Sequence, residues 1–177
     1  MSVSESIGGN AYFSEPYVVY RNVAITLASR KIVLTKIADL AGRSVAAYQN
    51  ARLLLGDEFK AVKASHVRYV EHADQAIQNR LLFSGQVDVV ISDRFIFDHF
   101  TTALTPQFDP GQPVVYHPIF PATPRRAAFR NPAVRERFNV ALKGMQQDGS
   151  QAAIYRKYNV VVDIHLSWNF IHLSWNS

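Results

Sequence analysis

A carboxylate closes a short apolar run in Gly85-Gln86-Val87-Asp88-Val89-Val90-Ile91-Ser92-Asp93-Arg94. A run of this length reads as a strand buried on both faces. Ligands of open α/β sheets bind just beyond the carboxyl ends of such strands, so Asp93 stands where it could meet a bound cation. An aspartate in the same place also caps a following helix, its side-chain oxygen accepting backbone N–H groups. On this segment alone both roles are open.

Other chemistry finds less to work with. Cysteine is absent, which excludes disulfides, thiolate metal sites and cysteine nucleophiles. His66, His72, His99 and His117 show no metal-ligand spacing, and His165 and His172 belong to a repeated tail. No acid–base pair with a reachable substrate site can be named, so the sequence reads as a non-enzyme without metal or cofactor.

The elements that must position Asp93 follow from periodicity. Residues 18–29 are rich in Val, Ile and Thr and read as a strand, and Thr35 can cap a short helix through Leu40 that stops at Gly42. Further strands are expected at 44–48, 66–70 and 87–92. Between them fall a helix from Ala51, a helix marked by Ala73, Ala76, Ile77 and Leu81, and one from 94 to 103. Short apolar strands alternating with helices argue for an α/β unit with a mainly parallel sheet and right-handed crossovers. Beyond a turn-rich loop at 106–113, two extended pieces are expected at 114–120 and 124–129. Asn131-Pro132 then opens a helix whose expected buried stripe is Val134, Phe138, Ala141, Leu142 and Met145, and a short helix runs to about Tyr158 after the break at Asp148-Gly149.

The tail follows another rule. Every even-numbered residue from 160 to 170 is apolar, the period of a strand with one greasy face. Ile-His-Leu-Ser-Trp-Asn occurs at 164–169 and again at 171–176. A step of seven throws the second copy's apolar residues onto the opposite face unless a turn or bulge intervenes.

At 177 residues the chain holds one sizeable domain, or one plus a fragment of another, and a hydrophobic share of 48% is ample for a core. The net charge of +5 comes from arginines such as Arg125, Arg126, Arg130, Arg135 and Arg137, most of them explained by a solvated helical face. Nucleic-acid binding would need a recognised module or a basic patch with stacking aromatics, and no such module is present. No stretch is long enough to span a membrane, and the polar start lacks the basic and apolar regions of a signal peptide.

Four motifs, in order, carry a resemblance. They are Phe13-Ser14-Glu15-Pro16-Tyr17, Ile37-Ala38-Asp39-Leu40-Ala41-Gly42-Arg43-Ser44-Val45, Gly85-Gln86-Val87-Asp88 with Asp93, and Met145-Gln146-Gln147-Asp148-Gly149 with Ile154-Tyr155 and Lys157-Tyr158. Together they resemble the C-terminal half of the bacterial family 3 extracellular solute-binding proteins, the receptors that deliver polar amino acids to ABC transporters. The resemblance implies a periplasmic-binding-protein-like lobe with a truncated first lobe. It divides the chain into a flexible arm (1–12), a remnant of the first lobe with the first hinge strand (13–31), the second lobe (32–118) and the second hinge strand (119–131). C-terminal helices (132–158) and the added strand-like tail (159–177) complete it.

In that family the second lobe gives an aspartate to the substrate ammonium, a role Asp93 matches, and a helix start with a threonine to the carboxylate. The resemblance puts the latter site at Gln49-Asn50-Ala51-Arg52. Here the family commonly has Gly-Thr, whereas Asn50-Ala51 removes both the permissive glycine and the hydroxyl. Arg52 could restore anion affinity through its guanidinium or point to water. Asn50 reads as a helix cap before a ligand contact.

The implied function is a truncated solute-binding protein that holds a small amino-acid-like ligand weakly if at all; the alternative is a relic or interaction domain that binds none. Some relatives are cyclohexadienyl dehydratases, which use the same cleft but need both lobes. Exposed apolar faces are expected to be covered by a second copy in a homodimer. The ancestral partner is an ABC permease. The resemblance implies the periplasm, while a start without an export signal leaves the chain in the cytoplasm where it is made.

Overall fold

The computed structural model describes residues 2–3, 11–63, 65, 68–102, 104 and 111–158. The alternating tail with its repeat, His66 and most of the expected arm lie outside the described residues. In chain order the elements are β1 (Ser2–Val3), β2 (Tyr12–Phe13), β3 (Val18–Tyr20), β4 (Asn22–Leu27), β5 (Ser44–Tyr48), α1 (Ala51–Leu54), α2 (Asp57–Lys63) and β6 (Arg68–His72). They continue with α3 (Gln75–Phe83), β7 (Val89–Asp93), α4 (Arg94–Thr102), β8 (Val114–His117), β9 (Thr123–Phe129), α5 (Pro132–Gln147) and α6 (Ser150–Lys157). Two compact units result: Val18–Arg125, and Met1–Tyr17 with Arg126–Ser177.

The larger unit is an α/β layer around a five-stranded sheet in the order β6-β5-β7-β4-β8. Strand β5 runs parallel to β6 and β7, which is the parallel sheet the alternating pattern predicts. Strands β4 and β8 extend it antiparallel. Both faces are covered, so side chains of opposite parity enter two cores. Ala24, Val45, Ala47, Val89 and Ile91 pack with Phe59 and Phe120 on one side. Val23, Ile25, Ala46 and Val90 pack with Leu82, Phe83 and Phe97 on the other.

Several local readings change. The single strand expected over 18–29 is two strands separated at Arg21, because the Arg21 N–H is drawn to the Asp93 carboxylate. The helix expected from Ala51 is interrupted at Gly56, whose φ of 88° is left-handed. Thr35 does not accept the capping bonds of the Ile37–Leu40 3-10 turn; Asp39 accepts the N–H and hydroxyl of Thr35 and the N–H of Lys36. Helix α3 starts at Gln75, two residues after the Ala73 of its expected pattern, because Asp74 caps it by accepting the Ala76 N–H at 2.9 Å.

In the smaller unit β1 and β2 pair antiparallel with the second half of β9. The Asn131 side chain caps α5 by accepting the Ala133 N–H at 2.8 Å, with Pro132 at the first helical position. Phe138 meets Tyr17 edge-on and Phe129 at a tilt. The expected buried stripe is only partly buried: Leu142 is buried, Phe138 and Met145 are half-buried, and Val134 and Ala141 are exposed. The short strands of this unit are too small to cover the face of a sixteen-residue helix.

His117 is among the titratable groups buried inside the larger unit. His117 is 7% exposed on β8, with its ring Nε2 3.0 Å from the Thr26 hydroxyl. Burial pushes its imidazole below the usual histidine value, with the Leu34 backbone pulling the other way. A lowered native value means that the unfolded chain takes up the proton more readily. This contribution is therefore complete above about pH 6.5 and is lost as the pH falls below it. Urea midpoints should decline between about pH 7 and pH 5, and His117→Gln should flatten that decline; an unchanged slope would count against it.

Candidate functional site

The carboxyl ends of the parallel strands β5, β6 and β7 bring Tyr48, His72 and Asp93 to one edge of the sheet. Asp93 is the last residue of β7 and only 6% exposed. Its Oδ2 accepts the Arg21 N–H at 2.8 Å, and its Oδ1 accepts the N–H groups of Phe95 at 3.0 Å and Ile96 at 3.4 Å. The carboxylate thus caps α4 and ties in the chain between β3 and β4. A carboxylate offers about four acceptor positions, so these three donors leave one for a ligand cation.

The segment 49–52 is built differently from an open anion site. Gln49, Asn50 and Arg52 are exposed and Ala51 is fully buried. Asn50 has φ 66° and ψ 14°, and its side chain makes no capping bond, so the cap expected there is absent. Asparagine is the side chain that enters the left-handed region most readily, which preserves without glycine a backbone geometry that favours it.

The N–H groups of Gln49, Asn50 and Arg52 are already occupied, the first by the His72 carbonyl at 3.1 Å. Glu71, on β6, accepts the Asn50 N–H at 2.9 Å and the Arg52 N–H at 3.0 Å, and the Tyr69 hydroxyl donates to the same carboxylate at 2.7 Å. Tyr69 and Glu71 stand two apart on one strand and so project to the same face. Burial raises the Glu71 carboxyl, but the Arg52 N–H, the Tyr69 hydroxyl, the Asn50 N–H and the Arg52 charge outweigh it and hold it below the usual carboxylate value. Burial above all, and then Glu71, pushes the Tyr69 hydroxyl up.

A second group lies toward β4. Asn22, 4% exposed, is the antiparallel partner of Asp93. The Tyr48 hydroxyl is buried and has no hydrogen-bond partner among the described residues. Burial pushes it up to about 12, with Arg125 lowering it, Glu71 raising it, Asn22 lowering it and Asp93 raising it. The Asn22 side chain is thus near the hydroxyl but outside hydrogen-bond geometry. Arg125 is 7% exposed, its guanidinium stands over the Tyr20 ring at 5.1 Å, and its Nε is buried without a partner among the described residues. The sequence puts Arg125 among basic residues explained mostly by a helical face; it lies on a strand and is buried.

Asp93 is therefore paired with Asn22, and it and Arg125 both act electrostatically on Tyr48, while Asn50 and Arg52 are engaged by Glu71. Sequence reasoning missed Glu71, Tyr48 and Arg125. The alternation Tyr69–Glu71 was a usable signal for the first, and the position of Tyr48 at a parallel strand's carboxyl end for the second. Arg125 carried none.

No protein-family model and no curated protein matches the chain. Solved structures do. An ancestral arginine-binding protein bound to glutamine superposes with a TM-score of 0.69 at 24% identity, over 91% of this chain and 69% of its own. An ancestral amino acid-binding protein described as a precursor of cyclohexadienyl dehydratase gives 0.67 at 18% identity, over 89% and 65%. An amino acid ABC transporter substrate-binding protein from Streptococcus pneumoniae, bound to L-arginine, gives 0.66 at 16% identity, over 89% and 64%. The chain has the fold of these amino-acid-binding proteins, and at such identities the likeness is one of fold. No helix among the described residues is long and apolar enough to cross a membrane.

Proposed function

We propose that this chain is a solute-binding module that holds a small polar amino acid at the carboxyl ends of β5 and β7, as part of an ABC-transporter receptor that works outside the cytoplasm. The observation that carries the reading is Asp93: a buried carboxylate at the end of a parallel strand, with one acceptor position left, in a fold shared with amino-acid-binding proteins. An ammonium there makes a charge-assisted hydrogen bond. The chain spans 69%, 65% and 64% of the length of these neighbours.

A second reading is favoured by a specific observation. Glu71 fills the N–H groups of Asn50 and Arg52, which is what a domain that no longer binds solute would show. In either case a second copy covers the exposed Val134, Val140, Ile154 and Tyr158 of the C-terminal helices, giving a homodimer. Light scattering behind size exclusion tests the dimer, and a clean monomer at micromolar concentration would exclude it.

Thermal melting against the twenty amino acids, each at about 10 mM, separates the two readings. If Kd is near 1 mM, the ligand should add about 1.4 kcal/mol and raise the Tm by several degrees. Flat melts across the panel would support the second reading.

A further inference from the structure

We propose that Arg125 is the residue that takes the ligand's carboxylate, so that an α-amino acid lies with its ammonium on Asp93 and its carboxylate on the Arg125 guanidinium beside the Tyr48 hydroxyl. The inference rests on the solute-binding reading and adds the group that selects the substrate.

The first ground is that Arg125 lacks a counter-charge. It is buried, yet no ion pair among the described residues includes it, and its Nε has no acceptor. Its guanidinium stands over the Tyr20 ring. Stacking on an aromatic holds the guanidinium plane and leaves its edge, a row of N–H donors shaped for a carboxylate, without a partner. A buried guanidinium in this state is costly unless something anionic completes it.

The second ground is placement. Tyr20 carries the guanidinium, and the next residue, Arg21, donates its N–H to Asp93. Successive residues are 3.8 Å apart at Cα, so the cationic and anionic groups are held by adjoining points of one backbone. They form no ion pair with each other. Opposite charges held near one another and kept from touching suit a zwitterion of reversed polarity. The Tyr48 hydroxyl, also without a partner, lies within electrostatic reach of both.

The third ground is exclusion. The other nearby donors for a carboxylate, the N–H groups of Asn50 and Arg52, are held by Glu71. A ligand carboxylate would have to displace an internal carboxylate that already has the Tyr69 hydroxyl as a third donor. The ligand class that follows is a free α-amino acid. Amines without a carboxylate, and peptides or amides with the carboxylate blocked, are rejected.

The test uses the full chain with L-arginine, L-glutamine and agmatine, the decarboxylated form of arginine, by thermal shift and calorimetry. The wild type should bind one or both amino acids, and agmatine at least about tenfold more weakly. Arg125→Gln should lose at least about tenfold in amino acid affinity, with Arg125→Lys intermediate because a point charge replaces the planar fork. Should the Gln variant not fold, the wild type still decides through its arginine side-chain 15N resonances: the Arg125 Nε–H signal should move on amino acid addition and stay in place with agmatine. Amino acid binding that is unaltered in Arg125→Gln, or saturates without moving that signal, would overturn this assignment and leave the solute-binding reading standing. No response of the wild type to any amino acid would overturn both.

Discussion

Asp93→Ala should lower the stability of the chain by about 3 kcal/mol, before any ligand is considered. The substitution removes the acceptor of the Arg21 N–H and of the two N–H groups at the start of α4. Loss of a helix cap costs about 1 kcal/mol, and a buried N–H left without a partner about 1–3 kcal/mol more. For a chain of this length the melting temperature should fall by roughly 6–12 °C. Asp93→Asn keeps an oxygen to cap α4 but sets its amide NH2 against the Arg21 N–H, so it should lose less than Asp93→Ala while still giving up that bond. It also removes the charge that an ammonium requires, so it is the better variant for asking whether Asp93 binds ligand. If Asp93→Ala melts within a degree of the wild type, the three hydrogen bonds carry little and the residue is freer for a ligand than its geometry states.

The second large effect is expected at the other end of the same strand. Asp88 accepts the Ser44 N–H at 3.0 Å, the Ser44 hydroxyl at 2.7 Å and Arg30 Nη1 at 3.2 Å, while its own N–H donates back to the Ser44 hydroxyl at 2.9 Å. These bonds fix the entry of β7 against the entry of β5, and so set where both strands end. Asp88→Ala should cost about 2 kcal/mol in denaturant unfolding. Ser44→Ala in the same background should add less than it costs alone, because the two side chains act on each other. Burial raises the Asp88 carboxyl, but the hydroxyl and N–H of Ser44 and the charges of Arg30 and Arg43 hold it below the usual value. A lowered native value means stability that is present above about pH 4 and lost as the pH falls through the native value. The variant should therefore show a shallower acid decline, and an unchanged one would contradict the assignment.

Gly85 belongs to the same device. Its φ of 72° is left-handed, and a Cβ there would come within 2.9 Å of the Arg30 guanidinium, which donates to the Gly85 carbonyl at 3.0 Å. The Gly-x-x-Asp motif is thus explained by a turn and a staple, and Asp88 is not a ligand residue on this geometry.

What was legible in the sequence is what local chemistry specifies. The run ending at Asp93 declares a strand buried on both faces, and the structure puts Val89 and Ile91 in one core and Val90 in the other. Asn131 announces a helix start because a cap acts within three residues of itself. What was not legible depends on partners far along the chain. The break at Arg21 comes from a carboxylate seventy-two positions away. Glu71 reaches a turn about twenty residues earlier, and nothing around Gln49-Asn50-Ala51-Arg52 reports that the N–H groups of Asn50 and Arg52 are taken. Arg125 reads as one more arginine in a basic stretch because composition does not record which side of a strand faces inward.

The most direct measurement of the central claim is a crystal structure of the chain grown with a saturating amino acid, L-arginine or L-glutamine, read at the carboxyl ends of β5 and β7. The predicted result is an ammonium within hydrogen-bond distance of Asp93 and a carboxylate on Arg125, with Glu71 still on the N–H groups of Asn50 and Arg52. A ligand carboxylate on those N–H groups with Glu71 displaced, or a ligand bound away from both Asp93 and Arg125, would contradict it.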